Sequence, residues 1–192
     1  MAALKNGNAA ERLLVDEGAD GRGEARVAAE MLVRGQSEAR RLIDEIAPSH
    51  VLSIMTPGRS YLGPRGFAPE RQLFMTFDET DDPASANAPD VRMVEDMLAF
   101  ARGVPKEGRL LIHGLLGVRR SSAVALGLFA DGHPPAEAAQ MLSRACSQPP
   151  DPQRLVVRLF DKVLGLDGAL VEAAATRFVQ GRNAIRRRAA EV

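Results

Sequence analysis

The 192-residue sequence contains a single cysteine, Cys146, so no intramolecular disulfide and no cysteine-built metal cluster can form. Such sparing use of cysteine fits a reducing compartment. A surplus of either charge is also missing, since 25 Lys and Arg balance 25 Asp and Glu. With nothing basic left over to neutralise a phosphate backbone, the composition argues against a general nucleic-acid binder. No uninterrupted apolar run approaches the length of a membrane span. The first residues lack the apolar stretch of a signal peptide. The expectation is a cytoplasmic protein with no membrane or nucleic-acid partner and no metal or cofactor. No internal repeat is visible.

What the sequence does hold is ordinary for a folded domain: 45% hydrophobic and 26% charged residues. That is enough apolar material for a core without a disulfide or metal staple. The length suits one domain with added terminal segments. Arg186-Arg187-Arg188 near the end reads as the cationic end of a C-terminal helix rather than a binding patch.

Residues 1–23 mix charged and small residues and read as weakly structured. Residues 24–33 (EARVAAEMLV) show helical spacing, with Val27 and Met31 on one face. Ser37 is placed to cap a second helix carrying Leu42 and Ile46. The period then shortens. Residues 51–55 (VLSIM), stopped by Pro57-Gly58, and residues 72–77 (QLFMTF) read as strands. An acidic, proline-bearing loop follows, then a helix over 89–102 with Pro89 in its first turn. Residues 109–113 (RLLIH) form a third strand, central because it is apolar on both faces. Helices are expected from about Ser121, from Pro134-Pro135 to about Ser147, after Pro152, and from Leu170 onward. Strands alternating with helices predict an α/β fold, a mostly parallel sheet flanked by helices with a helical C-terminal portion. The expected division is a partly helical extension over 1–45, a main domain over 46–172 and a helical extension over 173–192.

The chemistry is concentrated in one segment, RLLIHGLLGVRRSSAVALGLF. A buried strand runs into a loop at Gly114, a second glycine stands at Gly117, and Arg120 and Ser121 lie where a helix begins. Successive backbone N–H groups in such a loop, backed by a helix N-terminus, make an anion site. An arginine at its end can grip two phosphate oxygens at once. The Gly-Lys-Ser/Thr ending of a nucleotide loop is absent, because Val118 and Arg119 follow Gly117.

His113, Gly117, Arg120 and Ser121, in this spacing between strand and helix, resemble the signature of the protein tyrosine and dual-specificity phosphatases. The match is similar, more narrowly, to small bacterial phosphatase-like proteins, and it spans roughly residues 45–172. The resemblance implies a cysteine-phosphatase-like fold. It implies a phosphate-binding loop made of Leu115, Leu116, Gly117, Val118, Arg119, Arg120 and Ser121, and a loop-supporting role for His113. It also implies a general acid upstream, with Asp78 the first choice and Glu79 or Asp82 as alternatives. At the family's nucleophilic cysteine this chain has Gly114. A thiolate is needed there to attack phosphorus and form a phosphocysteine, and glycine offers no atom for it. Cys146 falls in a separate expected helix and is read as a core residue.

The acidic loop reads equally well as a solvated segment, and Ser121 as a helix cap. Three functions remain open. One is an inactive phosphatase-like module that binds phosphate, sulfate or a phosphorylated protein or small molecule. Another is a protein tyrosine or dual-specificity phosphatase whose nucleophile has been exchanged in this chain. The third is a structural or interaction domain that binds no anion.

Overall fold

The structure is a computed structural model and describes residues 26–178. The expectations for residues 1–23 and for the basic run at 186–188 lie outside the described residues.

Four strands form one sheet: β1 (Glu30–Gly35), β2 (His50–Met55), β3 (Gln72–Thr76) and β4 (Arg109–Gly114). Their order is β1-β4-β2-β3 and every pairing is parallel. As its unbroken apolar run requires, β4 sits inside the sheet, buried from Leu110 to Gly114. Side chains alternate between two layers. Met31, Val33, Leu52, Ile54, Leu110 and Ile112 enter the larger core. Val51 and Leu111 face the smaller one, with Ala39 and Ile46.

The larger face is covered by α3 (Val91–Arg102), α4 (Arg120–Gly132), α5 (Pro135–Ala145) and α6 (Arg154–Leu164). A further helical run over 169–178 adds Leu170 and Phe178 to the same core. The smaller face carries the short helices α1 (Gln36–Arg41) and α2 (Ile43–Ile46). The architecture is therefore α/β, with helices on both faces of a parallel sheet.

Several expectations need correction. Residues 30–35, read as the end of a helix, are strand β1, and they pair with β4 from Glu30↔Arg109 to Gly35↔Gly114. Met31 and Val33 are two apart and both buried in the larger core, with Leu32 turned to the smaller one. Tertiary pairing overrides a helix-compatible pattern here. The main domain consequently begins before residue 46, because β1 is an integral strand. Ser37 does not cap α1: Gly35 precedes the helix and no side chain bonds to its first turn. Pro89 lies outside α3, which is capped by Asp90, its Oδ1 accepting from Met93 N at 2.8 Å. Cys146 stands just past α5, half-buried, in a backbone bridge with Val33.

Candidate functional site

The site lies at the carboxyl end of β4, where open parallel sheets place their ligand crevices. Gly114 ends the strand, residues 115–119 form the loop, and Arg120 begins α4. Gly117 has φ +76°, and an added Cβ would stand 2.6 Å from Arg34 C and 2.7 Å from Gly35 N. Only glycine lets the loop lie this close to the β1–α1 junction. Gln36 N then donates to Leu115 O at 3.3 Å, fixing the seat.

The loop's backbone is divided by polarity. Its carbonyls are held by the surrounding protein: Asp151 N donates to Val118 O at 3.0 Å and Gln153 N to Arg119 O at 3.3 Å. Ser122 Oγ also donates to both Val118 O and Arg119 O. In contrast, no backbone N–H from Leu115 to Ser122 donates to an acceptor among the described residues. Helix N-termini always leave such donors over, and here the loop extends the row. Residues 114–121 and Glu79 line a pocket of about 160 Å³.

Arg120 is buried, and much of its guanidinium is already engaged. Nη1 donates to Met55 O (3.0 Å) and Phe77 O (2.7 Å), and Nη2 to Thr56 Oγ1 (2.7 Å). It thus ties the ends of β2 and β3 to the start of α4. Nε and the second Nη2 hydrogen have no protein acceptor among the described residues. Burial lowers its pKa, opposed by Glu79 and Asp78, but an arginine stays charged.

Arg119 points elsewhere. Its Nε lies 2.8 Å from Glu79 Oε1, and its Nη1 donates to Asp151 Oδ2 at 3.0 Å. Its charge is therefore shared between two carboxylates at the pocket's edge. Of the acid candidates, Glu79 is the one that lines the pocket. Asp78 Oδ2 accepts from Asn87 Nδ2 at 3.1 Å, and Asp82 Oδ1 accepts from Ala84 N at 2.9 Å within its own turn. Buried Gln153 holds this acidic loop in place, its Nε2 donating to Thr80 O at 2.5 Å.

Beneath the loop, His113 Nε2 lies 2.9 Å from Ser53 Oγ and 3.4 Å from the Tyr61 hydroxyl. Tyr61 donates in turn to Pro64 O at 2.6 Å and accepts from Gln72 Nε2 at 3.0 Å. Burial pushes the His113 pKa down to about 4, so the ring is neutral near pH 7. The imidazole, next to Gly114 in β4, is thus neutral and braced by a serine and a tyrosine.

No family model matches the sequence, and no curated protein matches it. Solved structures do match. A human tyrosine phosphatase-like serine/threonine/tyrosine-interacting protein aligns with TM-score 0.53 at 16% identity, covering 71% of this chain and 92% of its own. Human DUSP28 aligns with TM-score 0.50 at 20% identity, covering 75% and 97%. A mouse dual specificity phosphatase complexed with zinc tungstate aligns with TM-score 0.50 at 22% identity, covering 80% and 97%. The chain has the dual-specificity phosphatase fold. At these identities the likeness is one of fold, and the chemistry must be argued from the residues themselves.

Within this phosphatase fold, the structure brings Gly114, Gly117, Arg120, Ser121 and Glu79 to one pocket. It separates Asp78 and Asp82 from that pocket's lining. Ser121 is not a cap: the residue before α4 is Arg119, with no capping side chain, and Ser122 makes the local bonds. Sequence reasoning missed Ser53, Thr56, Tyr61 and Gln153, which hold the site together. Gln153 had a visible signal, since it follows the proline run that turns the chain toward α6. The other three are polar residues that become partners only through the fold.

Proposed function

We propose that this phosphatase-fold domain binds a phosphoryl group without hydrolysing it, and so acts as a recognition module for a phosphorylated protein or small molecule. The observation carrying this reading is the row of uncommitted backbone N–H groups on Leu115 to Ser121, residues that line one pocket together with Gly114. Inward-facing amides at a helix N-terminus form an anion site in general, and Arg120 offers its remaining N–H groups beside them. The mouse relative's complex with tungstate, a tetrahedral oxyanion, supports the same use of this fold.

Hydrolysis by the family's route needs a thiolate at position 114, and none is present. The one thiol, Cys146, does not line the pocket, and burial pushes its pKa up to about 12. A poorly ionised thiol outside the site does not replace the nucleophile. Among the described residues, no helix is long and apolar enough to cross a membrane. We take the chain to work in the cytoplasm, with the phosphatase-like unit including β1.

A second reading has one observation in its favour. Arg120 already bonds Met55 O, Phe77 O and Thr56 Oγ1, which suits a structural clamp in a domain that binds no anion. Titration separates the two readings. The proposal expects tungstate and phosphate to raise the melting temperature and release or absorb heat, with aryl-phosphate hydrolysis at background. No thermal shift and no heat at millimolar anion would leave the clamp reading in possession.

A further inference from the structure

We propose that a basic recess beside the loop takes a second anionic side chain of the same ligand, so that the domain selects a phosphorylated protein segment with two acidic groups. The inference rests on the phosphate-binding reading of the loop and narrows its ligand.

Arg40, Leu62, Gly63 and Arg65 line a cavity of about 350 Å³ on the sheet face that carries α1. Two contacts set it next to the anion pocket. A Cβ built on Gly63 would stand 2.5 Å from His113 Cε1, so glycine lets the 61–64 turn lie on the residue that precedes Gly114. The Tyr61 hydroxyl closes that turn by donating to Pro64 O at 2.6 Å. From the other side, Gln36 N at the start of α1 donates to Leu115 O. Arg40 follows one helical turn later, about 6 Å along the axis. The recess and the anion pocket therefore flank the backbone from His113 to Leu115.

The charges in the recess are unspent. Near the anion pocket, Arg119 is shared between Glu79 and Asp151, and Arg34 pairs with Glu38. Arg40 and Arg65 are exposed, and neither side chain has a hydrogen bond or a carboxylate partner among the described residues. Two guanidinium groups in one concavity without a counter-charge favour an anion, and each can hold a carboxylate or phosphoryl group in a two-pronged contact. The walls of the two pockets are also apolar and open: Leu62 is 53% exposed, Leu115 44% and Leu116 71%. A free phosphate has nothing to lay against those leucines. A peptide spanning two acidic residues does.

The experiment is calorimetric titration of short phosphotyrosine peptides into the full chain, in low-salt buffer where exposed charges are least screened. One peptide has alanine at every flanking position. The others carry one glutamate or one phosphoserine, moved through each flanking position in turn. At the best position the second acid should tighten binding about five-fold, the scale of one or two exposed ion pairs. A gain from either acid supports the proposal, and the larger gain identifies the group. The double variant Arg40→Gln/Arg65→Gln should lose the gain while binding the alanine peptide as before. Arg92→Gln/Arg144→Gln makes the same change of net charge on exposed positions of α3 and α5, over the opposite face, and should keep it. No gain at any position, a gain that survives the first double variant, or an equal loss in the second would overturn this inference and leave the phosphate reading standing. So would tungstate binding without any peptide binding. Phosphatidylserine vesicles held through Arg40 and Arg65, with no peptide preference, would overturn it in favour of a membrane surface. Failure of the unaltered chain to bind tungstate or any peptide would overturn both readings.

Discussion

Replacing Gly117 with alanine tests whether the loop is seated as described. Two costs are combined at this position. The backbone has φ +76°, which costs an L-residue about 1–2 kcal/mol. The new Cβ would also meet Arg34 C at 2.6 Å, Gly35 N at 2.7 Å and Arg34 O at 2.8 Å. These are backbone atoms of the β1–α1 junction, so no side chain can rotate aside, and overpacking of this kind costs about 1–3 kcal/mol. The total, about 2–5 kcal/mol, is a large share of a typical domain's stability. For a chain of this size it corresponds to a fall in melting temperature of about 5–20 °C. Gly66 supplies the control: its φ is +89°, but a Cβ there meets nothing within 4 Å. Gly66→Ala should thus show the backbone cost alone, a loss of a few degrees. The assay is thermal unfolding of both variants by circular dichroism, with and without tungstate. If Gly117→Ala melts where Gly66→Ala does, the loop does not rest on Arg34 and Gly35, and the cradle's geometry is wrong.

Three other outcomes are expected. Gly114→Cys should gain measurable aryl-phosphate turnover over an unaltered chain at background, provided Ser121 rotates from the new Cβ and Glu79 supplies the proton; no gain would remove Glu79 as the acid. Arg120→Ala should cost about 3 kcal/mol in denaturant unfolding, because Met55 O, Phe77 O and Thr56 Oγ1 lose a charged donor; a change under 1 kcal/mol would mean that the clamp is not formed. The third concerns pH. His113 has a folded pKa of about 4 against an ordinary 6.5, so between these values the unfolded chain binds a proton that the folded chain refuses. Stability is full above pH 6.5 and falls as pH drops toward 4, by about 3 kcal/mol in all. His113→Gln should flatten that slope in melting curves across the window, and an unchanged slope would assign the loss to other groups.

How much of this was legible in the sequence follows from which interactions are local. The strand–loop–helix passage through Gly114 and Arg120 is written in contiguous residues, and strands β2, β3 and β4 follow from short apolar runs bounded by turns. Strand β1 was misread because EMLV fits both periods: Met31 lies four residues after Val27, yet it also alternates with Leu32 and Val33. Only the partner strand β4, far along the chain, decides between them. The acid could not be chosen from FDETDD by composition, since that depends on which carboxylate the turn at 82–85 and Asn87 draw away from the pocket. Likewise, nothing local says that Ser122 rather than Ser121 bonds the loop's carbonyls.

Arg120 shows why the functional weight must rest on the backbone rather than on the signature residue. From sequence alone, an arginine at the end of a loop with no nucleophile looks purposeless unless it grips an anion. The structure supplies a second reason for it. Two strand ends and Thr56 lose their tie to α4 if it is changed, so its presence is explained by stability as well as by binding. The N–H row is in part what any helix start leaves over, and residues 115–119 extend it beyond that. Its carbonyls are tied outward by Gln36, Asp151, Gln153 and Ser122, a set of bonds from α1, the 146–153 segment and α4 itself. Those ties leave successive amides without acceptors in a pocket that Gly114 and Ser121 help to line. Donors gathered without protein acceptors at a helix start favour an anion, and a tetrahedral oxyanion is one that this pocket could take.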